Sequence, residues 1–323
     1  MVLGYKSFES DMTCRGFQYE VGQTYTYRQK ILPWRRSISL CKRGFHFCRK
    51  IADVLNYYGS RDCRYAVVEA LGEVVDGDDK SVTDKLRIVR ELSWEEVLKE
   101  MATGAGISPE YSPFPADEII QARENGTLDR LLPSGTEFPV RFSNGERNVL
   151  VVCRDMDHTY LVTKYIMAEC SAMNGSITSK GGWPACRMRR HVQKIYDMLP
   201  ENINKAVIPI HTVQHMQDKV MECDDMAFLL STDNVFGEDN WYLGEKMNDT
   251  QIDIFREPAA RIKKHLGTSS ASWWWLRSAN GNFNFCYVSR DGNSNNYYAD
   301  GGGGVVVGFC IETRSYHPEG IVV

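Results

Sequence analysis

The sequence predicts an α+β protein with two domains. Runs that alternate apolar and polar residues, as strands do, occur in both halves of the chain, and helical patterns lie between them. A stretch with three prolines and several small residues separates the halves, which is typical of a domain boundary. We therefore predict a small N-terminal α+β domain over residues 1–100, a Pro-rich linker with a short helix over 101–130, and a second domain over 131–323.

Composition restricts the classes of function. The 323 residues are 43% hydrophobic and 25% charged, as in ordinary globular proteins, and the net charge of -4 predicts no nucleic-acid partner. Residues 1–64 nevertheless carry 12 basic and 5 acidic side chains, which leaves room for a local basic face. No apolar run approaches the ~20 residues of a membrane helix, and the N-terminus lacks a signal-peptide pattern, so we expect cytoplasmic synthesis without membrane insertion.

The ten cysteines are too sparse for a disulfide scaffold, and we expect buried thiols at 14, 41, 48, 63, 153, 170, 186, 223, 286 and 310. Cys41, His46 and Cys48, with Cys14 or Cys63, form the one arrangement that suggests zinc. Structural zinc sites usually have two pairs of cysteines two to four residues apart, a spacing that is missing here. The alternation of GFHFC favours a packed strand instead, and we predict no metal and no cofactor.

In the first domain, we expect a strand pair in 16–28, a short helix in 52–58, a strand in 64–75 and a helix in 90–102. The last helix carries a capping box, with Ser93 as its N-cap and Glu96 three positions on.

In the second domain, TEFPVRF and RNVLVVCRDMDHTYLVTKYI are predicted strands with turns at 144–145 and 155–158. Residues 188–200 have a helical apolar face, and 251–266 are predicted as a second helix, broken near Pro258. Arg187, Arg189 and Arg190 are interpreted as a solvated face, with a phosphate or acidic partner as the alternative. His211 and His215 lie in an alternating strand without a zinc-protease glutamate, so we interpret them as structural.

Residues 272–311 are the most unusual stretch. Their apolar ends are expected to bury Trp273, Trp274, Leu276, Val305, Val307 and Phe309. Lys, Glu, Gln, Met and Trp are absent from Ser278 to Ile311. None of these five can be made from an Asn codon by changing only its two adenines, whereas the other fifteen residue types can. The composition thus indicates a segment whose codons are rewritten at adenines.

This hypothesis predicts seventeen exposed ligand-binding positions. Six are unchanged template positions, Asn280, Asn282, Asn284, Asn293, Asn295 and Asn296. Eleven are altered positions, Gly281, Phe283, Ser289, Arg290, Ser294, Tyr297, Tyr298, Asp300, Gly301, Gly302 and Gly303. The alternative is a plain Asn/Gly surface loop, since these residues favour turns. Clustered aromatics among Asn, Ser and Gly are typical of antibody paratopes and favour a binding surface.

The frame WWWLRS, FCYV, DG and GVVVGFCI resembles the variable region of C-type-lectin-like proteins diversified by retroelements, a family that includes the phage major tropism determinant. Residues 181–200, 229–237 and 251–267 resemble the same module, and the resemblance covers about 130–315. It implies a fold shared with formylglycine-generating enzymes. Segments of the first domain are similar to a phage and prophage domain of unknown function.

The resemblance implies a hypervariable binding protein of phage or prophage origin, virion-associated, with a protein or glycan target on another cell or molecule. Cys286 and Cys310 occupy the frame strands. The chemistry of formylglycine-generating enzymes, which share the implied fold, depends on paired active-site cysteines, but we expect core thiols and no catalytic residues here. Calcium occurs in the wider fold, yet Asp291 and Asp300 lack the spacing of a calcium loop.

Two alternatives remain open. The first domain also resembles ADP-ribosyltransferase-like folds, in which an Arg or His holds the dinucleotide and a Glu orients the attacked ribose. Arg28, His46 and Glu69 are the candidates for these roles. The protein would then be an enzyme with a C-terminal targeting domain. The other alternative is a purely structural virion component, which predicts no sequence change at 280–303 among sister phages.

Overall fold

The computed structural model describes residues 2–27, 38–59, 61–104, 114–216, 219–237 and 249–314. The chain divides into two compact units. Unit 1 comprises Met1–Ile107 and Lys264–Ala271, and unit 2 comprises Ser108–Lys263 and Ser272–Val323. Both contain helices and antiparallel strands, so the mixed α and β composition expected from the sequence is confirmed.

Unit 1 contains β1 (Val2–Phe8), β2 (Thr13–Cys14), β3 (Phe17–Gln18), β4 (Thr24–Thr26), β5 (Phe45–Phe47), α1 (Ile51–Val54), β6 (Arg64–Ala70), β7 (Val74–Asp76), β8 (Ser81–Thr83), β9 (Lys85–Leu92) and α2 (Trp94–Gly104). Its sheets have the orders β1-β6-β9-β4 and β5-β8-β7, with β2 paired to β3. Phe8, Phe47, Val68, Leu86 and Ile88 are buried between these strands. A one-residue bulge in β9, opposite the step from Val67 to Val68, leaves Val89 exposed.

The capping box of α2 is confirmed. The Ser93 N–H donates to Glu96 Oε2 over 2.8 Å, and the Glu96 N–H donates to Ser93 Oγ over 3.2 Å. The strand pair predicted in 16–28 is wrong, because β3 pairs with β2 and β4 pairs with β9. The turn before β4 is tied to β9 by a hydrogen bond from the Gly22 N–H to the Ile88 carbonyl (2.8 Å).

Unit 2 contains α3 (Ala116–Glu124), α4 (Leu128–Leu131), β10 (Glu137–Arg141), β11 (Arg147–Arg154), β12 (His158–Thr163), β13 (Ser171–Ala172), α5 (Gly182–Ala185), α6 (Arg187–Asp197), α7 (Glu201–Asn204), β14 (Ile210–Met216), β15 (Lys219–Asp225), β16 (Phe228–Leu229), α8 (Thr232–Phe236), β17 (Trp274–Asn280), β18 (Asn284–Val288), β19 (Ser294–Tyr298), β20 (Gly302–Gly303) and β21 (Val307–Thr313). The largest sheet has the order β10-β11-β12-β21-β16. Smaller sheets are β17-β18-β19, β14-β15 and β13-β20.

One apolar core connects the elements of unit 2. It joins the middle of the large sheet, including Leu161 and Phe309, to Trp274 and Phe285 of the three-stranded sheet. Helix α3, which falls in the predicted linker, contributes Ile119 to the same core. The buried face of the three-stranded sheet therefore packs on the same core as the large sheet.

The helix predicted for 188–200 is confirmed as α6, which buries Met188, Val192 and Ile195. The helix predicted for 251–266 is wrong. Two single-turn 3₁₀-helices, Asp253–Arg256 and Pro258–Arg261, take its place. Proline disfavours helical backbone in the residue before it, and Glu257 is accordingly extended, with φ -83° and ψ 114°. None of the described helices is both long and apolar enough to cross a membrane.

Candidate ligand-binding surface

The stretch predicted to be variable is carried largely by the antiparallel sheet β17-β18-β19. A tight turn at Gly281 joins β17 to β18, and a turn over 289–293 joins β18 to β19. Gly281 has φ +62° and Gly292 has φ +84°, backbone conformations that glycine adopts without the cost a side chain would add. Two successive hairpins therefore present this stretch.

The frame of the sheet is buried. Trp274, Trp275, Phe285, Cys286 and Val288 are all 0% exposed. The two buried indoles satisfy their N–H groups with main-chain carbonyls, at 3.0 Å from Trp274 to Arg261 and at 3.0 Å from Trp275 to Ser171. A buried indole without an acceptor would destabilise the fold, so the frame fixes these side chains by contacts as well as by burial.

Strand β17 carries an irregularity that holds the frame to a neighbouring segment. Between Trp275 and Ala279 its register against β18 shifts, which releases Arg277 from the sheet. Arg277 is fully buried, donates to Leu229 O and Asn234 Oδ1 at 3.0 Å each, and pairs with Asp249. Arg277 of the WWWLRS segment is thus joined to the LLSTDNVFG segment by buried hydrogen bonds, and we call this set of contacts the Arg277 joint.

The opposite edge of the sheet exposes large side chains. Phe283, Tyr297 and Tyr298 are 56%, 49% and 51% exposed. Of the predicted ligand-binding residues, those that are exposed are Gly281, Asn282, Phe283, Arg290, Asn293, Asn295, Tyr297, Tyr298, Asp300 and Gly302. Those that are half-buried are Asn280, Asn284, Ser289, Ser294, Asn296 and Gly301, and Gly303 is buried.

Four aromatic rings form a patch on this sheet, which we call the aromatic patch: Trp273, Tyr287, Tyr297 and Tyr298. The Trp273 ring lies 4.9 Å from Tyr287 and 6.0 Å from Tyr297, and Tyr297 lies 6.0 Å from Tyr298. Trp273 was predicted to be in the core but is half-buried, with its ring 4.9 Å from that of the fully buried Trp275. Sequence reasoning thus missed Trp273 as a surface residue, and it left Tyr287 out of the seventeen predicted ligand-binding positions.

Gly303 differs from the other predicted positions. A Cβ at this residue would lie 2.6 Å from Trp275 Nε1 and closer still to the Trp273 ring. By contrast, a Cβ at Gly302 would meet nothing within 4 Å. Gly303 pairs with Ser171 in the β13-β20 ladder, so the structure separates it from the exposed residues and gives it a packing role.

Main-chain hydrogen bonds hold the hairpins in place. Ser179 donates from its hydroxyl to Gly281 O over 2.6 Å and from its N–H to Asn282 O over 3.0 Å. The Asn174 N–H donates to Ala299 O over 2.8 Å, and the Ala299 N–H to Phe283 O over 2.9 Å. The acceptors are carbonyls of the hairpins, so these contacts do not depend on which side chains the hairpins carry.

The polar side chains of the second turn are occupied with one another. The Ser289 hydroxyl contacts Asp291 and donates to Asn293 O over 2.9 Å, while Asn293 Nδ2 donates to Asp291 Oδ2 over 2.9 Å. These hydrogen bonds, above all the one from Ser289, lower the pKa of the Asp291 carboxyl. The Asp291 carboxylate is therefore used to shape the turn.

Two asparagines link β18 to β19. Asn284 Nδ2 donates to Asn296 Oδ1 over 2.8 Å. Asn284 Oδ1 and, on β19, Ser294 Oγ are buried and have no hydrogen-bond partner among the described residues. A buried polar atom without a partner costs free energy, so these two atoms reduce the stability of the hairpin.

The frame cysteines are thiols. All ten cysteines lie among the described residues, and none of them forms a disulfide bond; Cys286 and Cys310 are both fully buried. Burial raises the pKa of the Cys310 thiol to about 12. A thiol held protonated in an apolar core is a poor nucleophile.

His46 and Glu69, two of the three residues considered for enzymatic chemistry, belong to unit 1. Arg28 lies outside the described residues. His46 Nε2 accepts a hydrogen bond from the Cys41 N–H over 2.9 Å, and burial together with Lys6 lowers its pKa to about 4. Glu69 is buried on β6, with its carboxylate 3.9 Å from Arg87.

The other candidate ligands have local partners. His211 is exposed on β14 and lies 2.9 Å from Asp224. Arg189, from the arginine cluster of α6, pairs with buried Asp225 at 2.6 Å, which explains its position without an external partner. No group of three or more His, Cys, Asp and Glu side chains suited to a metal ion occurs among the described residues.

Comparison with known families gives two matches. Residues 2–100 match the model of a domain of unknown function, DUF7666, and residues 157–313 match that of a second, DUF6273. No curated protein and no solved structure matches the chain significantly. The second match contains the whole three-stranded sheet and the Arg277 joint.

Proposed function

We propose that the protein is a binding protein of phage or prophage origin whose C-terminal domain, with a C-type-lectin-like fold, recognises a protein or glycan target. Recognition uses the exposed edge of the β17-β18-β19 sheet, and retroelement-directed changes at adenines alter the residues there. The protein has no catalytic role in this proposal, and it acts on another cell or molecule, carried by a virion.

One observation carries the proposal. Large side chains are exposed on the edge of a sheet where the hydrogen bonds to neighbouring segments are accepted by main-chain carbonyls. Gly281, Asn282 and Ala299 are held through their carbonyls, whereas Tyr297 and Tyr298 project into solvent. Replacing such side chains removes few of the contacts that hold the backbone, which is what a surface built for variation requires.

The chemistry of the surface supports the same function. Tyrosine provides contact area at low entropic cost, and Asn and Ser adapt their hydrogen bonds to different partners. Exposed aromatic anchors dominate the energetics of most interfaces, so we expect Phe283, Tyr297 and Tyr298 to contribute most. The aromatic patch and the neighbouring asparagines together supply both kinds of contact.

Two displayed libraries test the proposal. One randomises five exposed positions, Asn282, Phe283, Asn295, Tyr297 and Tyr298, and the matched library randomises five buried ones, Trp274, Trp275, Phe285, Cys286 and Val288. Protease resistance measures the folded fraction, and selection on a panel of bacterial surface proteins and glycans measures binding. We expect the first library to stay folded and to yield binders, and the second to unfold.

Two outcomes would count against the proposal. If the exposed library loses its folded fraction as readily as the buried one, the stretch has a structural role. If it folds but yields no binder to any panel member, the surface is not a recognition site. The flanking DNA provides an independent check, since we expect a reverse transcriptase gene and a near-copy of the segment encoding 272–311 that differs at adenines.

A further inference from the structure

Unit 1 contains a cavity of about 590 Å³ that the proposed function does not use. The ends of β1, β2, β4 and β5 and the segment after α1 form its walls. This volume is in the range of pockets that hold metabolite-sized ligands. The cavity lies entirely within unit 1, so the ligand it takes is a separate question from the target of the lectin-like surface.

Aromatic rings form one side of this cavity. The Phe17 ring lies 4.8 Å from Tyr19, 5.4 Å from Tyr25 and 5.9 Å from Phe45, all in edge-on or steeply inclined arrangements. Phe17 is 44% exposed although it belongs to this cluster. An exposed ring at the mouth of a cavity favours a planar ligand, which would cover it by stacking.

Five cationic side chains belong to the lining. Lys6, Arg15, Lys42, Arg43 and Lys80 line the cavity, and no Asp or Glu occurs among the described lining residues. The excess of basic residues in 1–64 thus produces a local positive potential at the cavity. This potential acts on the neighbouring His46, whose pKa is lowered by burial first and then by Lys6, Arg15 and Lys80.

Lys6 is the most informative of these cations. It is 7% exposed, and its Nζ donates to His46 O over 3.0 Å and contacts Cys14 Sγ at 3.5 Å. The same Nζ lies 5.6 Å from the Phe8 ring and 5.4 Å from the Tyr19 ring. Burial lowers its pKa. A buried ammonium beside neutral groups is costly, and an anion in the cavity would offset that cost.

We propose that this cavity binds a small anion that carries a planar ring, with the ring against Phe17 and Tyr25 and the negative group against Lys6 and Arg15. Nucleoside monophosphates and phosphotyrosine share this chemistry. Asp79, an acid beside the lining residue Tyr57, accepts a hydrogen bond from Tyr57 over 2.7 Å, so that carboxylate already has a partner.

Isothermal titration of the full chain at low ionic strength tests the proposal. The probes are AMP, O-phosphotyrosine, adenosine, tyrosine and inorganic phosphate. We expect AMP or phosphotyrosine to bind. A probe that lacks the ring or the phosphate should bind at least about tenfold more weakly, because charge-assisted hydrogen bonds and ring stacking each contribute about a factor of ten to affinity. Whether AMP or phosphotyrosine binds more tightly distinguishes a nucleotide from a phosphorylated tyrosine.

Variants localise the binding to the cavity. Arg15→Gln and Phe17→Ala, both at exposed positions, should each weaken the bound probe about tenfold. Lys85→Gln, an exposed lysine outside the cavity, is the matched control and should leave affinity unchanged. The proposal is wrong if neither ring phosphate binds, if the ring phosphate that binds is matched in affinity by inorganic phosphate or by its own phosphate-free form, or if the Arg15 and Phe17 variants behave like the Lys85 control.

Discussion

The buried frame and the exposed edge belong to the same sheet, β17-β18-β19, but they are held in place differently. Side chains stabilise the frame, through the buried indoles and the Arg277 joint. Main-chain atoms secure the edge, through carbonyls at 281, 282 and 299. The difference shows that tolerance to substitution depends on which atoms make the contacts, and neighbouring residues of one sheet can differ fully in this respect.

The largest expected effect is on the frame. Trp274→Ala removes a fully buried indole and the hydrogen bond that it donates to Arg261 O, so it should lower the free energy of unfolding by about 3–5 kcal/mol. Urea denaturation followed by circular dichroism measures the change. Tyr298→Ala, which truncates an aromatic side chain of the exposed edge, is the control. Equal losses in the two variants would remove the distinction between frame and edge.

A buried carboxyl group in unit 2 should also make the stability of the protein depend on pH. Glu146 lies in the β10–β11 turn, 5% exposed, and accepts a hydrogen bond from the Ala168 N–H over 2.6 Å. Burial, with Glu169 adding to it, raises its pKa to about 7. The folded protein therefore binds more protons than the unfolded chain between pH ~4.5 and ~7, and its stability falls as pH rises through that window.

Glu146→Gln should remove this pH dependence. The free energy of unfolding of wild type should fall by up to about 3 kcal/mol relative to that of the variant as the pH rises from 4 to 8. The reason is that the variant has no carboxyl at residue 146 to lose its proton. Urea midpoints across the pH range measure the change, and Asn295→Ala, which removes no titrating group, should run parallel to wild type. A constant difference between Glu146→Gln and wild type would contradict the prediction.

Two adjacent glycines provide a finer comparison. Gly303→Ala places a Cβ against Trp273 and Trp275 and should cost about 1–3 kcal/mol of unfolding free energy through overpacking. Gly302→Ala has open space around its Cβ and should change stability by less than about 0.5 kcal/mol. Thermal melting of the two variants measures the contrast. Similar melting temperatures would mean that the indoles move aside at little cost.

The smallest effects are expected at the exposed edge. Asn295→Ala and Tyr298→Ser should each stay within about 0.5 kcal/mol of wild type, since both side chains project into solvent. Binding should show the opposite order, with Tyr298→Ser reducing capture by a selected target more than Asn295→Ala does. Surface plasmon resonance on the folded variants checks this. A melting temperature that falls as far as that of Trp274→Ala would contradict the prediction.

Local chemistry explains how much of the fold the sequence predicted. The cap of α2 follows from Ser93 and Glu96 alone, and the apolar face of α6 from the spacing of Met188, Val192 and Ile195, so both were confirmed. Residues 251–266 also have helical spacing, but the restriction that Pro258 imposes on Glu257 divides them into two short turns. Periodicity alone does not show whether a proline bends a helix or prevents it.

The site was less predictable, because its geometry depends on contacts far apart in sequence. Trp273 and Trp275 are only two positions apart, yet only the structure shows that Trp275 is fully buried and Trp273 is half-buried. The register shift after Trp275 and the hydrogen bonds from Ser179 leave no composition signal. The aromatic and asparagine content did predict which short stretch would hold exposed ring side chains, and Phe283, Tyr297 and Tyr298 are exposed there.

The tight packing of Gly303 has a consequence for inheritance under the proposed diversification. A copying process that rewrote the codon for residue 303 as freely as those for 297 and 298 would yield less stable offspring whenever it replaced glycine, since any other residue needs space that Trp273 and Trp275 occupy. Most variants at residue 303 would then be at a disadvantage to those that keep glycine. Selection for viable offspring should therefore end the rewritten segment before residue 303, a limit set by two indole rings.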